Sequence, residues 1–243
     1  MPPRMAAAWL AVCDAGLMHP TSAWAVCSLD PSDPFEPHAS MPRGRFEGRC
    51  LDTSEERSIR ILSTDQAAAY GLVPDRERIF VIANLRYAGR YWVAEIDPQA
   101  VEEVILRSST FRHRSGGAHT ALRFRFRPGR GPRLKPQVGP AGSGVTRLPD
   151  LVYSVEAAYL IHGEPYDLVK GMQNHYATAY RFVSLESRYR QMVLHEHHRV
   201  EQIRLKLAPE ERRRLLIRAL CTTATRLSSG ACTTRWRATA PPS

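Results

Sequence analysis

A single histidine stands where a predicted strand begins, directly after small residues. His119 follows Gly116, Gly117 and Ala118 and opens a run in which apolar and basic residues alternate. Such alternation is typical of a strand with one buried face. The apolar face comprises Leu122, Phe124 and Phe126, and the basic face comprises Arg123, Arg125 and Arg127. Small neighbours leave space for a reacting group beside the imidazole. His119 is therefore a candidate general base, and a solvated histidine at a strand edge is the alternative.

The net charge of +10 is concentrated in one segment. Residues 104–149 contain no Asp or Glu and ten Lys or Arg residues, which account for the whole excess. A local positive field attracts anionic partners, such as nucleic acid, anionic lipid headgroups or an acidic envelope polymer. We therefore expect an anionic ligand, or contact with a membrane surface, at Arg123, Arg125 and Arg127, with a solvated basic face as the alternative. Neither an aromatic stacking motif nor a reading helix accompanies the arginines, which argues against nucleic acid.

The cysteines and histidines do not have the spacing of a metal site. Five cysteines lack paired Cys-x-x-Cys spacing, which structural zinc sites use. The run His195–His198 is followed by Arg199, where a zincin requires its second histidine. The sequence therefore predicts neither a metal nor another cofactor. In an oxidising compartment, Cys27 could form a disulfide with Cys50.

The first 25 residues are organised like a secretory signal. Arg4 supplies positive charge, residues 5–12 are apolar, and Ala23-Trp24-Ala25 has the small-x-small form of a cleavage site. Asp14 interrupts the apolar run. We expect residues 1–25 to be a signal peptide and the proline-rich residues 26–56 to be a linker or loop. No later segment reaches the roughly 18 apolar residues that a membrane-spanning helix requires.

Strand patterns precede most helix patterns along the rest of the chain. Strands are predicted over residues 57–62, 79–82, 91–96 and 151–157 and in the alternating run that opens at His119. Helices are predicted over residues 64–70, 97–106, 166–175, 184–199 and 209–220. Thr64 is the expected N-cap of the first helix. Residues 128–149, rich in Gly and Pro, are expected to form an exposed loop. This order, without βαβ repetition, indicates an α+β domain over residues 57–220.

Several weak motifs occur in a characteristic order. They are Ala118–Phe124, Asp150–Ala157, Tyr166–Met172, Tyr180–Arg188 and Leu205–Glu211. Together they resemble the bacterial Lnb N-terminal periplasmic domain family, and the resemblance extends over roughly residues 79–220. It implies a protein of the periplasm or cell envelope.

The resemblance also implies a fold and a chemistry. The family is similar to a circularly permuted papain-like (NlpC-type) fold, in which helices pack on an antiparallel sheet. In that fold a histidine at a strand start is the general base for a cysteine nucleophile later in the chain. His119 would then be the base, and Ser154 or Glu156 would orient its imidazole. The implied ancestry is a cysteine hydrolase or acyltransferase that cleaves or transfers an amide or ester bond of an envelope substrate.

The sequence departs from the family where the nucleophile is expected. Family members continue past the helix at residues 209–220 to an Asn-Cys pair, whereas this chain continues through Cys221 and Cys232 in a stretch rich in Thr, Ala and Arg. We expect residues 221–243 to be a disordered tail that results from a frameshift after Leu220. This copy would then lack its nucleophile, with Cys221 and Cys232 as the only substitutes.

Overall fold

The computed structural model describes residues 27, 30, 32–36, 41, 47–75, 78–110, 118–139, 146–161, 163, 167–173, 175–195 and 197–227. The strands of these residues are β1 Arg60–Ile61, β2 Phe80–Tyr87, β3 Arg90–Ile96, β4 Val101–Thr110, β5 Ala118–Phe126, β6 Arg133–Pro136, β7 Thr146–Arg147, β8 Asp150–Ala158, β9 Ala177–Ser184 and β10 Arg199–Arg204. The helices are α1 Thr64–Ala68, α2 Leu168–Met172, α3 Leu185–Tyr189 and α4 Pro209–Leu227. A 3₁₀ turn spans Pro98–Ala100, and a π-helical turn spans Arg190–His195.

All the described strands belong to one mixed sheet. Its order is β10-β4-β5-β8-β9-β2-β3-β6-β7, and β1 pairs with β2. Neighbouring strands are antiparallel except β2 and β9, which are parallel. This arrangement confirms the predicted α+β class. Among the described helices, none combines the length and the apolar character that crossing a bilayer requires.

One face of the sheet carries the main apolar core. Phe124 of β5, Leu151 of β8 and Phe182 of β9 are fully buried there. Leu216 and Leu220 of α4 pack against them. The alternation in the sequence of β5 is therefore confirmed on this face, because burial of large apolar side chains is the main force that holds a helix to a sheet.

The opposite face of the central strands is more polar and is covered by α3. Ala121, Val152 and Val183 form a small apolar cluster, and Leu185 of α3 packs on it. Ser184 ends β9 and also caps α3, since its Oγ accepts a hydrogen bond from the following turn of the helix. The cap fixes where α3 begins and directs it across this face.

The helix predicted over residues 97–106 is wrong. Asp97 caps only the 3₁₀ turn, and the chain then enters β4. The β-branched residues Val101, Val104 and Ile105 fit a pleated surface. Strand β4 also has hydrogen-bonded neighbours on both sides, β5 and β10. Pairing within the sheet therefore overrides the local helix-start signal.

The exposed loop predicted over residues 128–149 is wrong in part. Strands β6 and β7 lie within it, and Leu134, Gln137 and Leu148 are buried. A Cβ added to Gly131 would lie 1.8 Å from the backbone oxygen of Leu148, so this glycine serves close packing. Pro136 ends the short strand β6, in the kind of position where a missing N–H is tolerated.

Three further boundaries differ from the sequence prediction. The helix predicted over residues 209–220 continues to Leu227, so residues 221–227 of the expected tail are helical. Helix α1 is capped by Ser63 instead of Thr64, through a capping box with Gln66. The helix predicted over residues 184–199 ends at His195, and the strands that flank it, β9 and β10, were not predicted. Strand β10 is largely exposed at the sheet edge, so it lacks the apolar alternation that would have revealed it.

A disulfide and a buried ion pair stabilise the segment before β1, and a hydrogen bond from Gln137 joins this segment to the sheet. Cys27 and Cys50 form the expected disulfide. The carboxylate of Asp33 accepts hydrogen bonds from Nη1 of Arg57 at 2.5 Å and from Nε2 of Gln137 at 2.8 Å. These contacts connect the residues before β1 to the end of β6.

Packing of α4 on the sheet is tested by Leu220→Ala. Because Leu220 is fully buried, the variant is expected to lose about 2–5 kcal/mol of unfolding free energy. The measurement is urea denaturation followed by circular dichroism. The control is Val73→Ala, since Val73 is 77% exposed and its truncation should change the unfolding free energy by less than about 0.5 kcal/mol. An equally small change for Leu220→Ala would contradict this packing.

Candidate functional site

Antiparallel pairing of β5 and β8 brings His119 and Glu156 together. Ala121 lies opposite Ser154 in this ladder, so the next residues on the same face, His119 and Glu156, are cross-strand neighbours. Nε2 of His119 lies 3.3 Å from Oε1 of Glu156. The two atoms are at hydrogen-bonding distance without the alignment of a well-formed hydrogen bond.

Arg188 of α3 contacts the same carboxylate oxygen. Its Nη2 lies 2.6 Å from Oε1 of Glu156, and its Nη1 donates to the side-chain oxygen of Gln191 at 3.1 Å. The side chain of Arg188 is only 4% exposed and that of Glu156 is 14% exposed, so water screens the pair weakly. The carboxylate is thus held between the helix and the sheet.

A second buried arginine extends this network. Arg181 of β9 pairs with Glu56, and its Nη2 donates to the side-chain oxygen of Gln191 at 3.4 Å. The amide oxygen of Gln191 therefore accepts from both Arg181 and Arg188. Burial raises the pKa of Glu56, and the charge of Arg181 opposes that rise only in part.

Neighbouring charges and burial shift the pKa of Glu156 in opposite directions. Burial by itself raises its pKa, but His119, Arg188 and Arg181 outweigh burial and bring the pKa down to about 2. Glu156 is therefore ionised at neutral pH and can only accept hydrogen bonds. A hydrogen on Nε2 of His119 matches this acceptor, which leaves the lone pair of a neutral imidazole on Nδ1.

The second ring nitrogen of His119, Nδ1, lies on the edge of the imidazole that faces away from Glu156. The side chain of His119 is 21% exposed. Within the described part of the chain, no hydrogen bond involves its Nδ1. An imidazole with one nitrogen held by a carboxylate and the other unengaged can accept a proton from a nucleophile.

Ser154 lies on the same face as Glu156 but forms no hydrogen bond with His119. Its Oγ is buried and has no hydrogen-bond partner among the described residues. The sequence left Ser154 and Glu156 as alternatives for orienting the imidazole. The structure places Glu156 against the ring, and Ser154 lies between Ala121 and Arg181 in the ladder.

Each of the three arginines predicted to bind an anion already has an acceptor within the protein. Arg123 Nε donates to Asp150 at 2.7 Å, Arg125 Nη1 donates to Glu103 at 3.2 Å, and Arg127 Nη2 donates to the backbone oxygen of Gln99 at 2.6 Å. These contacts neutralise part of the basic face. Anion binding at these three residues stays a prediction.

The described cysteines do not place a thiol beside His119. Cys27, Cys50 and Cys221 are all disulfide-bonded. Cys221 also belongs to α4, which packs on the apolar core at the opposite face of the sheet from the imidazole. The other candidate nucleophile, Cys232, lies outside the described residues.

A metal centre is not formed by the residues that the structure describes. They contain no group of three or more His, Cys, Asp or Glu side chains with a metal-binding arrangement. The carboxylates near His119, those of Glu56 and Glu156, are instead paired with arginines.

Sequence patterns did not identify Arg181 and Arg188 as site residues. Both lie in the segment Tyr180–Arg188, which contributed to the family resemblance. A signal was present, because Arg188 is three residues after the buried-facing Leu185 and therefore on the same side of the helix. An arginine on the covered side of a helix requires a buried anion.

Comparison with known families identifies the chain. The family model of the Lnb N-terminal periplasmic domain matches residues 89–229. The chain belongs to this family. The match includes β5, β8 and α3, so His119, Glu156 and Arg188 all lie within the Lnb N-terminal periplasmic domain. No curated protein and no solved structure shows a significant match to the chain.

Ionisation of Glu156 makes the stability of the domain sensitive to acid. Its pKa is about 2 in the folded protein, against an ordinary value of 4.5. The stabilisation is therefore complete above about pH 4.5 and is lost as the pH falls towards 2. The difference corresponds to on the order of 3 kcal/mol. Between pH 5 and pH 2, the wild type should lose that much more unfolding free energy in urea titrations than Glu156→Gln.

The matched control for this titration is Glu201→Gln. The side chain of Glu201 is 61% exposed, so this variant should follow the wild type. If Glu156→Gln also follows the wild type, Glu156 is not the buried, ionised group that the structure shows.

Proposed function

We propose that this chain is a cell-envelope domain of cysteine-hydrolase or acyltransferase ancestry, with a permuted papain-like fold, in which His119 is the general base. The observation that carries the proposal is the contact of Nε2 of His119 with the buried, arginine-held carboxylate of Glu156. Burying an ionised carboxylate and its arginine is costly. A role of Glu156 in orienting the imidazole of His119 explains why the buried ion pair is present despite this cost.

The proposed chemistry uses the free edge of the imidazole. Nδ1 takes the proton of an attacking nucleophile as that nucleophile forms a bond to the carbonyl carbon of an ester or amide. The resulting imidazolium then gives the proton to the leaving group as the carbon–heteroatom bond breaks. Throughout, the carboxylate of Glu156 holds Nε2 and stabilises the positive charge on the ring.

Placement in the fold supports the proposed papain-like relationship. His119 is the second residue of β5, and its carboxylate partner comes from the adjacent antiparallel strand β8. A histidine at the start of a sheet strand is the position that the family resemblance implies for the general base. The Cys27–Cys50 disulfide also agrees with an oxidising compartment such as the periplasm.

We further propose that this chain keeps the general base His119 but lacks the cysteine nucleophile of the ancestral enzyme. Cys27, Cys50 and Cys221 are in disulfides, and the proposal takes water as the nucleophile that the oriented imidazole activates. The rate would then be low, because a thiolate is a much stronger nucleophile than water.

Hydrolysis of p-nitrophenyl acetate by the full chain tests the role of His119. The rate above buffer is expected to fall about 100-fold in His119→Ala, since a positioned base contributes at least that much. Glu156→Gln should also lower the rate, because an amide can donate to Nε2 and favour the wrong tautomer. Equal rates for the wild type and His119→Ala would refute the assignment.

Two controls complete this experiment. His197→Asn removes an exposed imidazole from a position with φ of 54°, a conformation that asparagine tolerates, and it should retain the wild-type rate. Iodoacetamide should leave the rate unchanged. Loss of activity on alkylation would show that Cys13 or Cys232 supplies a thiol and would overturn the statement that this copy lacks one.

A further inference from the structure

A buried arginine outside the proposed site has no hydrogen-bond acceptor among the residues that the structure describes. Arg107 lies in β4 opposite Ala121, on the same face of the sheet as His119, and only 4% of its surface is exposed. Its Nε and Nη1 are buried and have no partner among the described residues. A buried cation without an acceptor is unfavourable, so Arg107 calls for an anion.

Arg107 lines a cleft of about 440 Å³ between the sheet and α3. Much of the wall is apolar and comes from Tyr87, Leu148, Pro149, Leu185 and Tyr189. Arg147, Asp150 and Glu186 add charged groups to the same lining. Ligand pockets commonly combine apolar walls with a small number of polar or charged groups. The cleft could therefore accept a molecule that is partly apolar.

The acidic residues of this cleft are already neutralised. Asp150 pairs with Arg123 at 2.7 Å, and Glu186 pairs with Arg190 at 2.9 Å. Arg107 and Arg147 are left as cations without an ion-pair partner among the described residues, and Nη1 of Arg147 donates to the backbone oxygen of Gly131 at 3.0 Å. Burial, together with Arg188 and Arg123, lowers the pKa of Arg107 to about 10, so it is still charged at neutral pH.

We propose that the cleft binds a carboxylate group carried by a partly apolar molecule, with Arg107 as its charge partner. The guanidinium of Arg107 has unused donors, from which a carboxylate accepts charge-assisted hydrogen bonds, and Arg147 adds a second positive charge to the cleft. The apolar part of the ligand would cover Leu148, Leu185 and Tyr189. The proposal is independent of the proposed function, because binding requires no chemistry at His119.

NMR titration of the full chain with acetate, butyrate and hexanoate at constant ionic strength tests this proposal. Saturable binding is expected, and the affinity should rise by up to about 4-fold for each added methylene that becomes buried. Arg107→Met should weaken hexanoate binding at least 10-fold while keeping a similar side-chain volume. Arg90→Met removes the same charge from an exposed position at the start of β3 and should bind hexanoate like the wild type.

The outcomes separate this proposal from the preceding one. His119→Ala should retain hexanoate binding whether or not it retains esterase activity. If Arg107→Met does not fold, Arg107→Lys replaces it, with at least about 3-fold weaker binding expected because an ammonium lacks the planar fork. The assignment is overturned if hexanoate does not saturate the wild type, if it binds no better than acetate, or if the folded Arg107 variant binds it unchanged.

Discussion

The buried, ionised carboxylate of Glu156 is the constraint on which the candidate site depends. One of its oxygens contacts both His119 of β5 and Arg188 of α3. The imidazole is therefore oriented only as long as α3 lies over the sheet, and α3 is placed by its cap at the end of β9. Removing either partner would leave a charge in a poorly solvated position, which costs more than the interaction itself contributes.

The two faces of the sheet differ in polarity. Phe124, Leu151 and Phe182 pack with α4 on one face and form a continuous apolar core. The other face buries fewer apolar side chains, and its central strands carry arginines and carboxylates beneath α3. The fold tolerates this polar layer because the free-energy cost of burying its charges is offset by the apolar surface buried on the other face.

Sequence patterns predicted what depends on local periodicity. The alternation of β5 predicted its two faces, whereas the choice between Ser154 and Glu156 of β8 as the partner of His119 was left open. The patterns failed where pairing with neighbouring strands determines the secondary structure. Strand β4 begins with residues that resemble a helix N-terminus, and β10 has no buried face that would produce an alternating pattern. The network of Arg181 and Arg188 could not be predicted, since it requires the position of α3 over the sheet and no single segment encodes that position.

The central claim is that Glu156 holds Nε2 of His119 and leaves Nδ1 free to accept a proton. The most direct measurement is the tautomeric state of His119, from long-range ¹H–¹⁵N correlations of the imidazole in the neutral form. The account predicts a hydrogen on Nε2 and an unprotonated Nδ1 in the wild type, with this preference weakened in Glu156→Gln. A neutral ring with its hydrogen on Nδ1 in the wild type would contradict the account.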